Sequence, residues 1–412
     1  MEEDSQNLTT LLHTLTTSCD AEARHNAEHS LLASLPGTIP ELINIALDAN
    51  TPNEQRLLAS IVCKNNVAVN QLPHQHIISC IDRVIPRIHS APERIQSMIS
   101  FFLEALTRRD IKARVHLVHD AIAQLPNTLA ILDSLLCYSY INKEVITVLC
   151  EQDGGCDKLL DLIESSMSVK ALKIINSIVS FIGMEIGSSS LPLFYNRLPT
   201  MIETVLSSKS ITCWYHALSL VRVLCSDVPD MIEKCFSGLL QSVILVSQRI
   251  IEQQQSNQWQ TLVITDEEED IKDNVLTALV DTFSAFAALN LYCKHNIPKV
   301  ENIITTVVRL MCSPIQDWSF PYDSYSHTSA QNVLQTPSTT LPEAGIIFLH
   351  NIILYQVMPV NVLFMSSFQL LDQGAALLQL HKRTFVNIRG TGLLIMSICA
   401  NYLAKAHVQM QK

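Results

Sequence analysis

Apolar residues recur at helical spacing along nearly the whole chain, and this pattern limits the possible folds more than any other feature. After Asp20, a favourable helix N-cap, Ala23, Ala27, Leu31 and Leu35 follow at four-residue intervals. The chain has only 10 glycines in 412 residues. That is too few for the positive-φ turns that β-sandwiches, barrels and phosphate-binding loops need. The pattern therefore predicts an all-α protein.

The predicted helices pair into units of about 40 residues, the spacing of HEAT and armadillo repeats. One helix pair cannot bury its apolar face alone, so neighbouring pairs must stack into a continuous core. We therefore predict a HEAT-repeat superhelical solenoid of paired antiparallel helices, divided into 1–130, 131–254 and 271–412. Two segments interrupt the repeats and are predicted as loops: 255–270, polar and then acidic, and 313–341, rich in Ser, Thr, Pro and Tyr.

The stretch from Ala344 to Leu371 contains no Asp, Glu, Lys or Arg and is long enough to span a bilayer. Polar residues such as His350 and Asn351 interrupt it, and Pro359 divides it into two shorter pieces. A spanning helix would show a cleaner apolar run. We therefore predict two buried helices here, and no membrane insertion.

Charge is low and uneven along the chain. The net charge of −11 argues against a general nucleic-acid-binding surface, so we expect no direct nucleic-acid partner. Residues 1–70 carry 9 acids against 3 bases, and 265–343 carry 11 against 4. Residues 71–127 between them carry 5 acids against 7 bases. This distribution fits an acidic receptor for basic partners, and it also fits ordinary solubility.

Two runs of like charge are candidate contact surfaces. The densest basic cluster contains Arg108, Arg109, Lys112 and Arg114, and the acidic run contains Asp266, Glu267, Glu268, Glu269 and Asp270. The basic cluster fits either a contact with an acidic partner or a solvated helix end. A run of acids repels itself and stays extended unless a basic partner neutralises it. It fits either a cargo contact or a solvated loop.

The twelve cysteines are scattered, and none forms a C-x-x-C pair. Most lie in apolar helical runs, where a thiol behaves as a small hydrophobic group. The first residues are acidic and polar, unlike a secretory signal. These features favour a reducing intracellular compartment.

Motifs for catalysis are weak. His25, Glu28 and His29 fit the inverted zinc-protease string H-x-x-E-H, with Glu104 as a possible third ligand. We expect these residues to form the solvated face of a repeat helix instead. The spacings His74/His76 and His116/His119/Asp120 resemble metal ligands, but helix-surface histidines are the expected interpretation. Nucleotide-binding glycine motifs are absent from the sequence. We predict no enzyme, no cofactor, no catalytic residue and no metal site.

Three groups of residues follow one another in the predicted N-terminal helices: Leu11, Leu12 and Leu15, then Arg24, Ala27, Glu28 and Leu31, then Lys64 and Asn65. They resemble the first repeats of the importin-β (karyopherin) superfamily. The family's first helix has an L-L-x-x-x-L pattern, which the three leucines match loosely, its second an R-x-x-A-E-x-x-L core, and its fourth an apolar-K-N signature. Their order and spacing over about 65 residues carry the resemblance.

A second block is similar to a late segment of the same family. Its matching residues are Trp318, Asp323, Tyr325, Ser329, Ala330, Asn332 and Leu334. Together with the acidic run before it, this block resembles the histone-importing branch, importin nine. The chain is shorter than usual family members, so the resemblance implies a short or truncated member.

The resemblance implies a nuclear transport receptor found in nucleus, cytoplasm and nuclear pore. It would bind the GTP form of the small GTPase Ran, Phe-Gly nucleoporins, and basic protein cargo such as histones. The implied Ran-binding candidates are Arg24, Lys64, Asn65, Arg108, Arg109 and Lys112. The acidic run Asp266 to Asp270 is implied as a contact for basic cargo or Ran. The alternative is a HEAT-repeat scaffold for protein–protein interaction that has no role in transport.

Overall fold

The computed structural model describes most of the chain. The described residues are 2–35, 37–67, 72–137, 143–152, 154–185, 193–255, 266–298, 300–312, 337–338, 340–355, 357–376 and 382–410. These residues form twenty α-helices and no strand, which confirms the predicted all-α class.

The helices in the first part of the chain are α1 (Glu2–Thr17), α2 (Ala21–Ser34), α3 (Ile39–Leu47), α4 (Asn53–Val67), α5 (His74–Val84), α6 (Glu93–Thr107), α7 (Ile111–Ala123), α8 (Leu129–Cys137), α9 (Lys143–Thr147), α10 (Gly155–Ser166) and α11 (Val169–Glu185). A 3₁₀ turn, Ile88–Ser90, precedes α6, and a π-helical segment, Val148–Gln152, extends α9.

The remaining helices are α12 (Leu198–Ser207), α13 (Ile211–Asp227), α14 (Pro229–Gln255), α15 (Asp266–Ala288), α16 (Leu291–Lys294), α17 (Val300–Met311), α18 (Leu341–Leu354), α19 (Val360–Ala376) and α20 (Lys382–Met410). A 3₁₀ turn, Leu193–Arg197, leads into α12. The chain divides into two compact units, Met1–Phe181 and Ile182–Lys412.

In the first unit the helices form two layers. The odd-numbered helices α1, α3, α5, α7 and α9 pack in succession, and α4, α6 and α8 form the second layer. Apolar side chains such as Leu42, Ile81, Phe102 and Leu117 are fully buried where helices meet. This arrangement is the stacked-pair packing that the repeat spacing predicts.

The predicted N-cap of α2 is confirmed, and a similar carboxylate holds the turn after α3. The Asp20 carboxylate accepts a hydrogen bond from the Glu22 amide at 2.9 Å, which caps α2. After α3, the Asp48 carboxylate accepts from the Asn50 amide at 3.1 Å and from the Thr51 hydroxyl at 3.0 Å. These bonds fix the turn that leads into α4.

The second unit is also layered. Helix α15 packs against both α13 and α18, while α14 packs against α12 and α17. Aromatic rings fill the space between them, with the Phe236 and Phe286 rings edge-on at 5.1 Å. The buried Tyr292 hydroxyl donates to the Phe283 carbonyl at 3.1 Å, so its polar group is satisfied within the core.

The uncharged stretch splits as predicted. Helix α18 ends at Leu354 and α19 begins at Val360, directly after Pro359. Within the described residues, no single helix has both the length and the apolar content to cross a bilayer. The bent pair α2 and α3, which meet at 118°, passes that length-and-composition test only jointly.

The acidic run differs from the predicted loop. Asp266 to Asp270 are helical and form the first turns of α15. The physical reason is that acids are favourable at a helix N-terminus, where unpaired amide groups carry partial positive charge. Of the second predicted loop, 313–341, residues 313–336 lie outside the described residues, and so does the second family-like block, from Trp318 to Leu334.

Candidate protein-interaction surface

The basic cluster lies at the turn between α6 and α7. Arg108 is the C-cap residue of α6, where positive charge is favourable. Asp110 is the N-cap residue of α7, and its carboxylate accepts from the Ala113 amide at 3.0 Å. The two caps fix the turn between α6 and α7, and so fix the position of the basic side chains that it carries.

Two of the four basic residues bind a buried carboxylate. Arg108 donates to both oxygens of Glu104, at 3.0 Å from Nε and 2.8 Å from Nη2. Arg114 donates from Nη2 to Oε1 of Glu104 at 3.4 Å. The side chains of Glu104 and Arg114 are only 6% and 4% exposed. Glu104 and Arg114 therefore form an ion pair inside the fold. Arg108 is partly neutralised by the same carboxylate.

The pKa shifts of these arginines follow from this arrangement. Hydrogen bonding to Glu104 and its negative charge raise the pKa of Arg108 above its ordinary value. Burial lowers the pKa of Arg114, and the attraction of Glu104 opposes that effect. Both guanidinium groups remain charged at neutral pH.

Arg109 and Lys112 are the free charges of the cluster. Both are exposed, and neither side chain forms an ion pair or hydrogen bond with any residue that the structure describes. They lie three positions apart, one on the turn and one in the first turn of α7. They are therefore available to an acidic partner, whereas Arg108 is engaged with Glu104.

Lys64 is joined to the same neighbourhood through α6. Its Nζ lies 5.1 Å from the centre of the Phe101 ring, a cation–π contact between α4 and α6. Phe101, Glu104 and Arg108 follow each other at helical spacing, so they share one side of α6 and its end. The structure thus brings Lys64 and the basic cluster to helices that pack on one another.

Two other Ran-binding candidates differ from this group. Asn65 is exposed. Its neighbour Asn66 donates to the Val62 carbonyl at 2.8 Å. Arg24 is exposed on α2, whose main packing partner is α1, so it is not part of the basic cluster.

The protease-like string does not assemble as a zinc site. His25, Glu28 and His29 are all exposed on α2. Their proposed third ligand, Glu104, is bound by Arg108 and Arg114. The string is therefore the solvated face of a repeat helix, as expected.

A polar seam that no local sequence pattern predicts lies between α5 and α7. His74 Nδ1 lies 2.6 Å from Asp110 Oδ2, and further along the helices His116 Nε2 lies 3.3 Å from Asp82 Oδ1. The partners are separated by 36 and 34 residues, respectively. Only the stacking of one repeat on the next brings them together.

A second missed feature is a buried carboxylate in the second unit. Asp281 on α15 is 1% exposed and accepts hydrogen bonds from the Ser338 amide at 2.8 Å and hydroxyl at 2.5 Å. Burial raises the pKa of Asp281 to about 6, although the Ser338 bonds and the positive charge of Arg222 oppose the shift.

The helical architecture of the chain is similar to that of two solved structures. The chain is similar to the exportin Cse1 in its cargo-free, cytoplasmic state, with a TM-score of 0.61 and 13% identity. The chain has a karyopherin-like HEAT-repeat fold. It is also similar to Kap95p, in a structure with RanGDP, with a TM-score of 0.55 and 14% identity. Both neighbours are members of the importin-β superfamily.

The alignments cover 95% and 96% of this chain but only 47% and 45% of Cse1 and Kap95p, respectively. The karyopherin-like chain therefore spans about half the length of these two proteins. No family model matches it, and a search of curated protein sequences found no match. At this level of identity the comparisons establish the fold, and the histone-importing branch remains a prediction.

Proposed function

We propose that this chain is a nuclear transport receptor that binds Ran-GTP, nucleoporins and protein cargo and moves between nucleus and cytoplasm. The observation that carries the proposal is the shared fold with Cse1 and Kap95p along 95% and 96% of the chain. The Kap95p structure is one in which Kap95p binds RanGDP. This supports Ran as the partner to test first.

The receptor acts by binding, without a chemical step. Each helix pair of a solenoid contacts mainly its neighbours, so the chain flexes through many small adjustments and wraps a partner. Ran and cargo would then be exchanged through a coupling free energy between their sites. This coupling is reciprocal: if Ran-GTP weakens cargo binding, cargo weakens Ran-GTP binding by the same factor.

Arg109 and Lys112 are the proposed core of the Ran contact. Both are exposed and carry charges that the described residues leave unpaired. Lys64 and Arg108 lie nearby, but each already has a partner. Lys64 forms a cation–π contact with Phe101, and Arg108 forms an ion pair with Glu104. Arg24 and Asn65 remain candidates outside this pair.

A pull-down with Ran locked in its GTP form tests the proposal. We compare the wild-type chain with an Arg109→Glu, Lys112→Glu variant, which spares the Glu104 ion pairs. The control reverses two other exposed charges of the same unit, Arg83→Glu and Arg94→Glu. The wild type and the control should retain Ran, and the test variant should lose most of it. If the wild type retains no Ran, the chain is instead a HEAT-repeat scaffold outside transport.

Basic cargo such as histones is assigned to the acidic run. Asp266 to Asp270 begin α15, so their charges are concentrated on about one and a half turns of helix. A compact anionic segment of this kind attracts a basic protein, and the attraction falls as salt rises.

Phe-Gly nucleoporins need exposed apolar side chains that a phenylalanine ring can contact. On α19, Val362 and Met365 are 44% and 63% exposed and lie three positions apart, on one helix face. We assign this pair as the first nucleoporin contact to test. Binding of a Phe-Gly peptide should weaken in a Val362→Ser, Met365→Ser variant and persist in a Leu245→Ser control, since Leu245 is exposed on α14 instead.

A further inference from the structure

Helices α5 and α7 lie side by side in the first unit and run in the same direction. Near their starts, His74 pairs with Asp110. About two turns further, Asp82 of α5 meets His116 of α7. Because the two helices are parallel, one face of α5 lies against one face of α7 over several turns. Histidine and aspartate side chains, which can bind metals, meet along this seam.

Three of these side chains converge on one point. His116 Nε2 lies 3.3 Å from Asp82 Oδ1 and 3.4 Å from Asp120 Oδ2. All three ligand atoms lie within 4.8 Å of one another. His116 and Asp120 are one turn apart on α7, while Asp82 belongs to the neighbouring repeat. The group is half-exposed, so an ion can enter from solvent.

The two separations from His116 Nε2 fit ligands that share a metal ion. Charge-assisted N–H···O bonds are usually about 2.7–2.9 Å long. Zinc binds imidazole nitrogen and carboxylate oxygen at about 2.0–2.2 Å, so neighbouring ligands on a zinc tetrahedron are separated by about 3.4 Å. The 3.3 and 3.4 Å separations around His116 match that edge.

The surroundings also suit a metal site. His119 Nδ1 lies 3.3 Å from Asp120 Oδ1, whereas His116 Nε2 lies 3.4 Å from the other oxygen, Oδ2. A side chain in this position orients a ligating carboxylate, as outer partners do in metal sites. Two aspartates and a neutral histidine balance the charge of one divalent cation. Imidazole with carboxylates is a ligand set that suits zinc rather than magnesium or calcium.

We propose that Asp82, His116 and Asp120 bind one Zn²⁺, with water at the fourth position. The ion links α5 to α7 and so ties two successive repeats of the first unit together. This site has a structural role, and it is independent of the proposed transport function. Because the ligands come from two repeats, the bound ion stabilises their stacking.

The test is calorimetric titration of the full chain with zinc chloride. Exposed thiols also bind zinc, so all titrations use a Cys19→Ser, Cys293→Ser background, which removes the exposed cysteines of the described residues. The ligand variants are His116→Asn and Asp82→Asn. The control is His76→Ala, an exposed histidine of α5 outside the cluster.

The background chain and the His76→Ala control should bind one zinc ion, and each ligand variant should bind it at least about tenfold more weakly. Zinc should also raise the thermal unfolding midpoint of the background and the control, and leave that of His116→Asn unchanged. Equal zinc isotherms for the background and His116→Asn would overturn the proposal. So would a midpoint that zinc shifts equally in both.

Discussion

Arg108 and Glu104 form a two-bond ion pair at the end of α6, at 3.0 and 2.8 Å. The carboxylate is buried and the guanidinium is 64% exposed, so the pair joins the interior of the repeat to its surface. Arg114 approaches the same carboxylate from the buried side. The turn that presents Arg109 and Lys112 is therefore anchored by a charge within the helix layers.

Removing the carboxylate should destabilise the first unit. In Glu104→Gln, the buried Arg114 loses its ionic partner, and breaking a buried pair costs about 3 kcal/mol or more. Arg108→Gln should cost less than about 1 kcal/mol, since its side chain is mostly exposed and Arg114 still pairs with Glu104. Thermal unfolding followed by circular dichroism compares the two. An equal fall in both midpoints would contradict the structural role of Glu104.

Asp281 should make the second unit less stable as pH rises. Its pKa is about 6 in the folded chain and 3.8 as the reference value, so the folded state binds the proton more tightly. Its contribution to stability is complete below about pH 4 and is lost between about pH 4 and 6, by roughly 3 kcal/mol in total. Asp281→Asn cannot ionise. The difference in unfolding midpoint between wild type and Asp281→Asn should move against the wild type from about pH 4 to 6 and then level off towards pH 7. A constant difference across this range would contradict the prediction.

The acidic start of α15 should contribute to both stability and cargo binding. Replacing Asp266 to Asp270 with Ser and Asn removes charges that favour a helix N-terminus, so stability should fall by about 0.3–1 kcal/mol at low salt. Had these acids formed a loop, almost no change would be expected.

The same variant tests basic cargo. A histone dimer should bind it more weakly than the wild type at low salt, with the ratio of the two affinities shrinking as salt rises. A matched control replaces Glu22, Glu28 and Glu41 with Gln, since these are acids of the first unit. Equal histone affinities for wild type and variant at low salt would contradict a cargo contact at the acidic run. Its acids would then only stabilise the start of α15.

Asn65 and Lys64 should respond differently to truncation. Asn65 is exposed, so Asn65→Ala should change stability by less than about 0.5 kcal/mol. Lys64→Ala loses the cation–π contact with Phe101 and should cost about 0.5–1 kcal/mol. Chemical unfolding measures both. A larger loss of stability for Asn65→Ala than for Lys64→Ala would contradict the exposed position of Asn65.

Much of the fold could be predicted because helix ends are encoded locally. Asp20 caps α2 through a neighbouring amide, and Pro359 separates α18 from α19 by its fixed backbone. The structure of the acidic run is harder to predict, because five consecutive acids fit an extended loop as well as a helix start. Repulsion among the acids favours the loop, whereas their attraction to the unpaired amides of a helix N-terminus favours the helix that the structure shows.

The sites could be predicted only in part, because their partners are distant in sequence. The basic cluster is visible as a local run, yet the engagement of Arg108 with a buried Glu104 depends on how α6 packs. Asp82 and His116 are 34 residues apart, and their approach depends on the register between repeats. Asp281 and Ser338 are 57 residues apart in sequence. Periodicity gives the faces of single helices, and the stacking geometry decides which faces meet.

Ran-dependent transport is the function proposed for this chain. The most direct measurement is the affinity of the wild-type chain for immobilised Ran loaded with a non-hydrolysable GTP analogue, compared with Ran-GDP, at low and at physiological salt. We expect at least about tenfold tighter binding to the GTP form, and a loss of about tenfold for Arg109→Glu, Lys112→Glu that shrinks with salt. Absence of binding, or equal affinity for the two nucleotide forms, would contradict it.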